Sequence, residues 1–97
     1  MNFLLIMRYK NPKAVNARLR EKGYLFPSGI LHLGTWIDAD LDRGFELVKT
    51  YDLRLLRAWM SKWADIVDFE VVRVLSSDQA RNAMGRLRKA KIQAHIQ

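Results

Sequence analysis

The sequence predicts an α+β domain with a four-stranded antiparallel sheet, two helices on one face of it, and a further helix at the C-terminus. Three observations predict it. Apolar residues recur with period two in four short runs and with helical period between them, in the order strand, helix, strand, strand, helix, strand, helix. Each predicted helix is opened by a residue able to cap free amides: Asn11, Asp52 and Ser76. Ninety-seven residues, 49% hydrophobic and 28% charged, have the length and balance of one folded domain and not of a disordered segment.

The elements follow in order. Phe3-Leu4-Leu5-Ile6-Met7 forms a buried strand running towards Tyr9. Asn11-Pro12 opens a helix, with Pro suited to its first turn, and Gly23 stands where a helix end favours a left-handed residue. The apolar stripe of this helix is thin: Ala14, Val15 and Leu19. Pro27-Ser28-Gly29 makes a turn. Ile30 to Ile37 alternates as a strand, Asp38 to Gly44 is a polar turn, and Phe45 to Tyr51 completes a hairpin. Asp52 caps a helix on which Leu55, Leu56, Trp59, Met60 and Trp63 share one strong face. Ile66 to Leu75 is the last strand. Ser76 and Gln79 have capping-box spacing, and the helix they open carries Ala80, Ala83, Met84, Leu87 and Ala94 on one side. Gly85 weakens that helix by about 1 kcal/mol relative to alanine. The first six elements are the two β-α-β halves of a ferredoxin-like βαββαβ domain, assigned to residues 1–75, with a basic C-terminal helix over 76–97.

Alternation predicts which residues face the helices: Phe3, Leu5 and Met7; Leu31, Leu33 and Ile37; Phe45 and Leu47; Phe69 and Val71. The opposite set is then Leu4, Ile6, Arg8, Ile30, His32, Trp36, Glu46, Val48, Glu70, Val72 and Val74. It is too apolar for a face meeting water, and such a patch marks an interface or a ligand surface. A homodimer whose sheets meet face to face, enclosing a cavity, is the expected assembly.

Trp36-Ile37-Asp38, Arg43-Gly44-Phe45-Glu46-Leu47, Trp59 with Trp63, and Phe69-Glu70-Val71-Val72 resemble a bacterial family of small proteins of unknown function among the dimeric α+β barrel proteins. The resemblance covers roughly residues 1 to 75. It implies a dimeric α+β barrel. The wider superfamily holds cofactor-independent monooxygenases, small isomerases, haem-handling enzymes and proteins without known activity, so the resemblance specifies fold and no catalytic residue. The family pattern has proline after the Phe-Glu-Val-Val segment, where this chain has Arg73, and the long basic tail departs from it too.

Several chemistries are excluded. Cysteine is absent, which removes disulfides, thiolate metal sites and cysteine nucleophiles. The five glycines form no phosphate loop, and no serine-hydrolase elbow is present. Asp38-x-Asp40-x-Asp42 has the look of a calcium loop, but Arg43 replaces its glycine and Lys49 its final glutamate, which leaves a polar hairpin turn. No metal or cofactor is expected. The apolar run at Phe3–Met7 is too short for a signal peptide or a membrane span, so a cytoplasmic protein without membrane contact is expected.

Two candidate sites remain. If the facing above holds, Arg8, His32, Trp36, Glu46 and Glu70 share the cavity of the dimer. A histidine beside a carboxylate in an enclosed apolar site can do acid–base work on a small, largely apolar molecule, or can simply hydrogen-bond across the interface. The second candidate is the tail. The net charge is +7, and the stretch from Arg73 onward holds six basic residues and one acid, while residues 1–72 are near balance at +2. Arg81, Arg86, Arg88, Lys89 and Lys91 could grip polyanions weakly and without reading sequence; such a run is more commonly a solvated helix face. Exposed aromatics of the kind on which such sheets stack bases are missing apart from Trp36.

Overall fold

A computed structural model of the chain describes residues 1–96, with side chains as far as Leu87. Its elements are β1 (Asn2–Tyr9), α1 (Pro12–Lys22), β2 (Leu31–Ile37), β3 (Arg43–Lys49), α2 (Leu53–Ser61), β4 (Val67–Val74) and α3 (Ser77–Ile96). The strands form one antiparallel sheet in the order β2-β3-β1-β4. This is the ferredoxin-like βαββαβ arrangement followed by a C-terminal helix. Among the described residues no helix is long and apolar enough to cross a membrane.

The local signals act as their chemistry requires. Asn11 Oδ1 accepts from the Ala14 amide at 3.2 Å, and Gly23, at φ 68°, donates its N–H to the Leu19 carbonyl. Asp52 accepts from the Arg54 amide at 2.9 Å. Ser76 and Gln79 close a reciprocal capping box, at 2.9 and 3.1 Å. The core lies between one sheet face and the two helices. Phe3, Leu5 and Met7 of β1 and Val48 of β3 meet Val15 of α1, Leu56 and Trp59 of α2, Trp63 just beyond it and Val67 at the start of β4. Arg18 of α1 forks onto Asp65 at 2.8 and 2.7 Å and donates to the Lys62 carbonyl, which ties α1 to the end of α2.

The sheet corrects the predicted facing of two strands. In β3 the inward residues are Gly44, Glu46 and Val48, not Phe45 and Leu47. The register is unambiguous, because Val48 lies opposite buried Phe3 and Glu46 opposite buried Leu5. In β2 the pairing skips Leu33 between His32 and Gly34, a β-bulge. Leu31 and Leu33 are exposed as a result, while His32 and Thr35 both turn towards the helices. Ile30, just before the strand, is also in the core. Ile37 and Val71 have the expected face but remain exposed at the sheet margin.

The uncovered face is therefore more apolar than the alternation suggested. Paired residues cross it in rows. One row is Gly34, Leu47, Leu4 and Val72; the next is Trp36, Phe45, Ile6 and Glu70. Leu31, Lys49, Asn2 and Val74 bound it at one end, and Arg43, Arg8 and Asp68 at the other. Gly34 has a specific reason to lack a side chain: the Trp36 ring occupies that space, 2.7 Å from where a Cβ would stand.

Candidate functional site

The bulge and the inward phase of β3 together build a polar cluster inside the apolar core. Skipping one residue puts His32 and Thr35, three apart in sequence, on the same face, opposite Val48 and Glu46. Glu46 is only 2% exposed. Its Oε2 accepts from the Thr35 hydroxyl at 2.7 Å, and His32 Nε2 lies 2.6 Å from that hydroxyl and 2.7 Å from the same carboxylate oxygen. With Glu46 ionised it can only accept, so Thr35 donates to it and His32 carries its proton on Nε2. The imidazole is fixed from its other side by Tyr24 and Phe26, at ring separations of 4.9 and 5.1 Å.

Among the described residues, Glu46 Oε1 has no hydrogen-bond partner, and Glu46 lines a cavity of about 20 Å³. Met7, Val15, Trp59 and Trp63 make the apolar walls, with Tyr9 and Tyr24 at the sides. That volume holds one water. The indole N–H groups of Trp59 and Trp63 both donate to the Tyr24 carbonyl, at 2.7 and 3.3 Å, so the segment after α1 is latched over this space. The same segment contains Leu25 at φ 65°, a left-handed backbone that leucine rarely adopts. Tyr9 reaches across the site, its hydroxyl lying where any Gly44 side chain would stand. A glycine inside a strand signals such a close approach, and Gly44 two residues before Glu46 is the sequence feature that marks this face as the inner one.

Burial dominates the electrostatics. It pushes the Glu46 carboxyl above the usual carboxylate range, against the opposing pull of Thr35 and His32. Burial, reinforced by the Glu46 charge, raises the Tyr9 phenol to about 12, so this hydroxyl stays protonated. A carboxyl raised in the folded state is protonated more readily there than in the unfolded chain. Its contribution to stability is fully present below its ordinary range and is lost as pH rises through the raised value. Glu46→Gln, which cannot ionise, should flatten this dependence. The urea midpoint of the natural chain should fall relative to that of the variant as pH rises above about 4. Parallel profiles would show that His32 and Thr35 compensate the buried charge in full.

The five residues expected in one cavity are divided. His32 and Glu46 are brought together, but between sheet and helices. Trp36, Glu70 and Arg8 lie on the uncovered face, where Trp36 is 57% exposed. Thr35, Tyr9, Tyr24 and Trp59 belong with His32 and Glu46, and the alternation rule did not find them. In α3, Arg81 pairs with Asp78 and Arg86 is exposed; the side chains of Arg88, Lys89 and Lys91 lie outside the described residues. Among the described residues no cluster of three or more His, Asp or Glu is placed to hold a metal ion.

No curated protein and no solved structure matches the chain. One family does: its domain, of unknown function (DUF3303), spans residues 1–88 and so takes in the sheet, α1, α2, the His32–Thr35–Glu46 cluster and the first half of α3. The chain belongs to this family.

Proposed function

We propose that the chain is a homodimer whose subunits each bind a small, largely apolar molecule against Glu46. The observation that carries the ligand reading is Glu46 itself, a carboxylate at 2% exposure that lines an aromatic and aliphatic cavity while both of its side-chain partners, Thr35 and His32, meet the same oxygen, Oε2. No fully buried side-chain polar atom lacks a partner among the described residues, so Oε1 keeps slight access and something can still donate to it. A water can do so in the closed state. A ligand with one O–H or N–H donor on an apolar body does so while also filling the space, once the Tyr24–Phe26 segment swings outward. An anion is disfavoured by the Glu46 charge. His32 and Thr35, both bound to Oε2, orient the carboxylate and can share a proton with it. Whether binding leads to turnover depends on the ligand, and the geometry supports the binding step.

Benzyl alcohol and benzoate are suitable probes, since they match in size and differ in donor and charge. At neutral pH, benzyl alcohol at millimolar concentration should shift the indole N–H resonances of Trp59 and Trp63, and benzoate should not. Unmoved indoles in the presence of benzyl alcohol would overturn the site.

The dimer reading rests on the two central apolar rows of the uncovered face, with Leu4, Ile6, Phe45, Leu47, Val72 and Trp36 side by side. A single sheet does not present such a surface to water without a partner. The apolar rows lie at its centre and the charged groups at its ends, so a two-fold axis buries the rows and leaves the charges at the rim.

A further inference from the structure

We propose that α3 is an exchanged arm, seated in the groove between α1 and the β2–β3 turn of a second copy of the chain. As far as Leu87, the helix buries no large apolar side chain against its own domain. The molecule extends 60 Å along its longest axis, and its radius of gyration is 17.5 Å, against about 12–13 Å for a compact chain of this length. Met84 and Leu87 are 64% and 62% exposed, and with Ala80 and Ala83 they form a stripe at helical spacing. A lone helix of this length, with Gly85 within it, is marginal in water and needs a surface for that stripe.

The groove has about 350 Å³. Pro12, Val15 and Leu19 form one wall, Ile37 and Leu41 the other, and Tyr9 lines it as well. Leu41 is 64% exposed and held at φ 65°, so left-handed backbone keeps an apolar side chain out in solvent at the groove's lip. The charges match. From Ser77 onward the chain holds five basic residues and one acid, Asp78, already paired with Arg81. The turn beside the groove carries Asp38, Asp40 and Asp42. Asp38 pairs with Arg43, whereas Asp40 and Asp42 form no ion pair among the described residues. Lys13 on the α1 wall is the one opposing charge in the lining.

The molecule's own arm leads away from its groove. α3 leaves the sheet after Val74, which pairs with Asn2, whereas the groove lies at the Tyr9 end of the same strand. A two-fold axis perpendicular to the strands, set between two uncovered sheet faces, places the α3 end of one copy over the Tyr9 end of the other. The arm thus extends the homodimer reading but stands on separate residues.

The chain has no cysteine, so single cysteines report cleanly. Leu41→Cys and Met84→Cys variants are mixed in equal amounts and oxidised, with Ala83→Cys and Leu87→Cys as alternatives in case the register differs by a turn. A disulfide-linked dimer should form in a mixture and in neither variant alone. A linked monomer from the double variant Leu41→Cys/Met84→Cys would mean that the arm folds back on its own chain, and linkage of Met84→Cys to itself would mean that two arms pair; either overturns the proposal. No linkage from any mixture, with light scattering still reporting a dimer, overturns the arm and leaves the sheet interface standing. No linkage together with a monomer overturns both. An unlinked arm that binds a short DNA duplex with steep salt dependence would assign α3 to polyanions instead.

Discussion

Replacing Leu4 with aspartate should turn the proposed dimer into a folded monomer. Leu4 sits on a central strand, flanked across the uncovered face by Leu47 and Val72. Its side chain points away from the core, so the fold itself loses little. In the assembled dimer, however, each copy would bury a carboxylate among apolar side chains with no partner, a change of the kind that costs about 3–5 kcal/mol. Each 1.4 kcal/mol is about tenfold in affinity, so the dissociation constant should rise by at least a hundredfold. Light scattering across a concentration series reads the shift directly, and circular dichroism reports whether the monomer keeps its fold. Ile6→Asp on the neighbouring row should act in the same direction, more sharply because Glu70 is already beside it. A natural chain that is monomeric and well folded at micromolar concentration would end the sheet-pairing reading.

The largest loss of stability should come from Trp59→Ala. Trp59 is almost fully buried, stacks on Phe26 at 4.5 Å between ring centroids, meets Phe69 edge-on, and holds the Tyr24 carbonyl with the shorter of two indole hydrogen bonds. Truncating a buried tryptophan costs about 3–5 kcal/mol, a large part of the roughly 5–15 kcal/mol available to a small domain. The variant should be partly unfolded at ambient temperature. Trp59→Phe keeps most of the ring and loses the N–H. It should cost about 1–2 kcal/mol and should selectively loosen the Tyr24–Phe26 segment, visible as faster amide exchange there. Guanidinium midpoints at one fixed protein concentration provide the comparison. A loss below about 1 kcal/mol for Trp59→Ala would mean that α2 does not hold the core together.

The helices were legible because their signals are local: Asn11, Asp52 and the Ser76–Gln79 pair each act within four residues. The order of elements was legible because the periods differ. Facing was harder where both phases of a strand are apolar. In β3, ranking Phe45 and Leu47 inward follows hydrophobicity alone, but the choice is made by Tyr9, whose ring needs the space that only Gly44 leaves, and by Glu46, whose burial is made tolerable from β2. Neither partner is a neighbour in sequence. The apolar character of the outer face survived this exchange, since Phe45, Leu47 and Leu31 took the places assigned to Glu46, Val48 and Ile30. The site did not survive it intact: the alternation rule put His32 and Glu46 with Trp36, Glu70 and Arg8, and the register separates them.

The irregularity at Leu33 makes β2 a strand whose reading frame changes partway. Every residue before it is presented in one phase and every residue after it in the other. Were Leu33 kept and paired in a continuous ladder, with Thr35 still turned inward, Leu33 and Leu31 would follow it and the imidazole of His32 would be carried to the outer surface. Deletion of Leu33 would instead leave His32 two residues from Thr35 and on the same inner face, so the place of the irregularity, after His32 and not before it, is what keeps the imidazole beside Glu46. Movement of the irregularity along β2, more than substitution, is the change by which a relative of this protein could acquire or lose its internal histidine while keeping every strand.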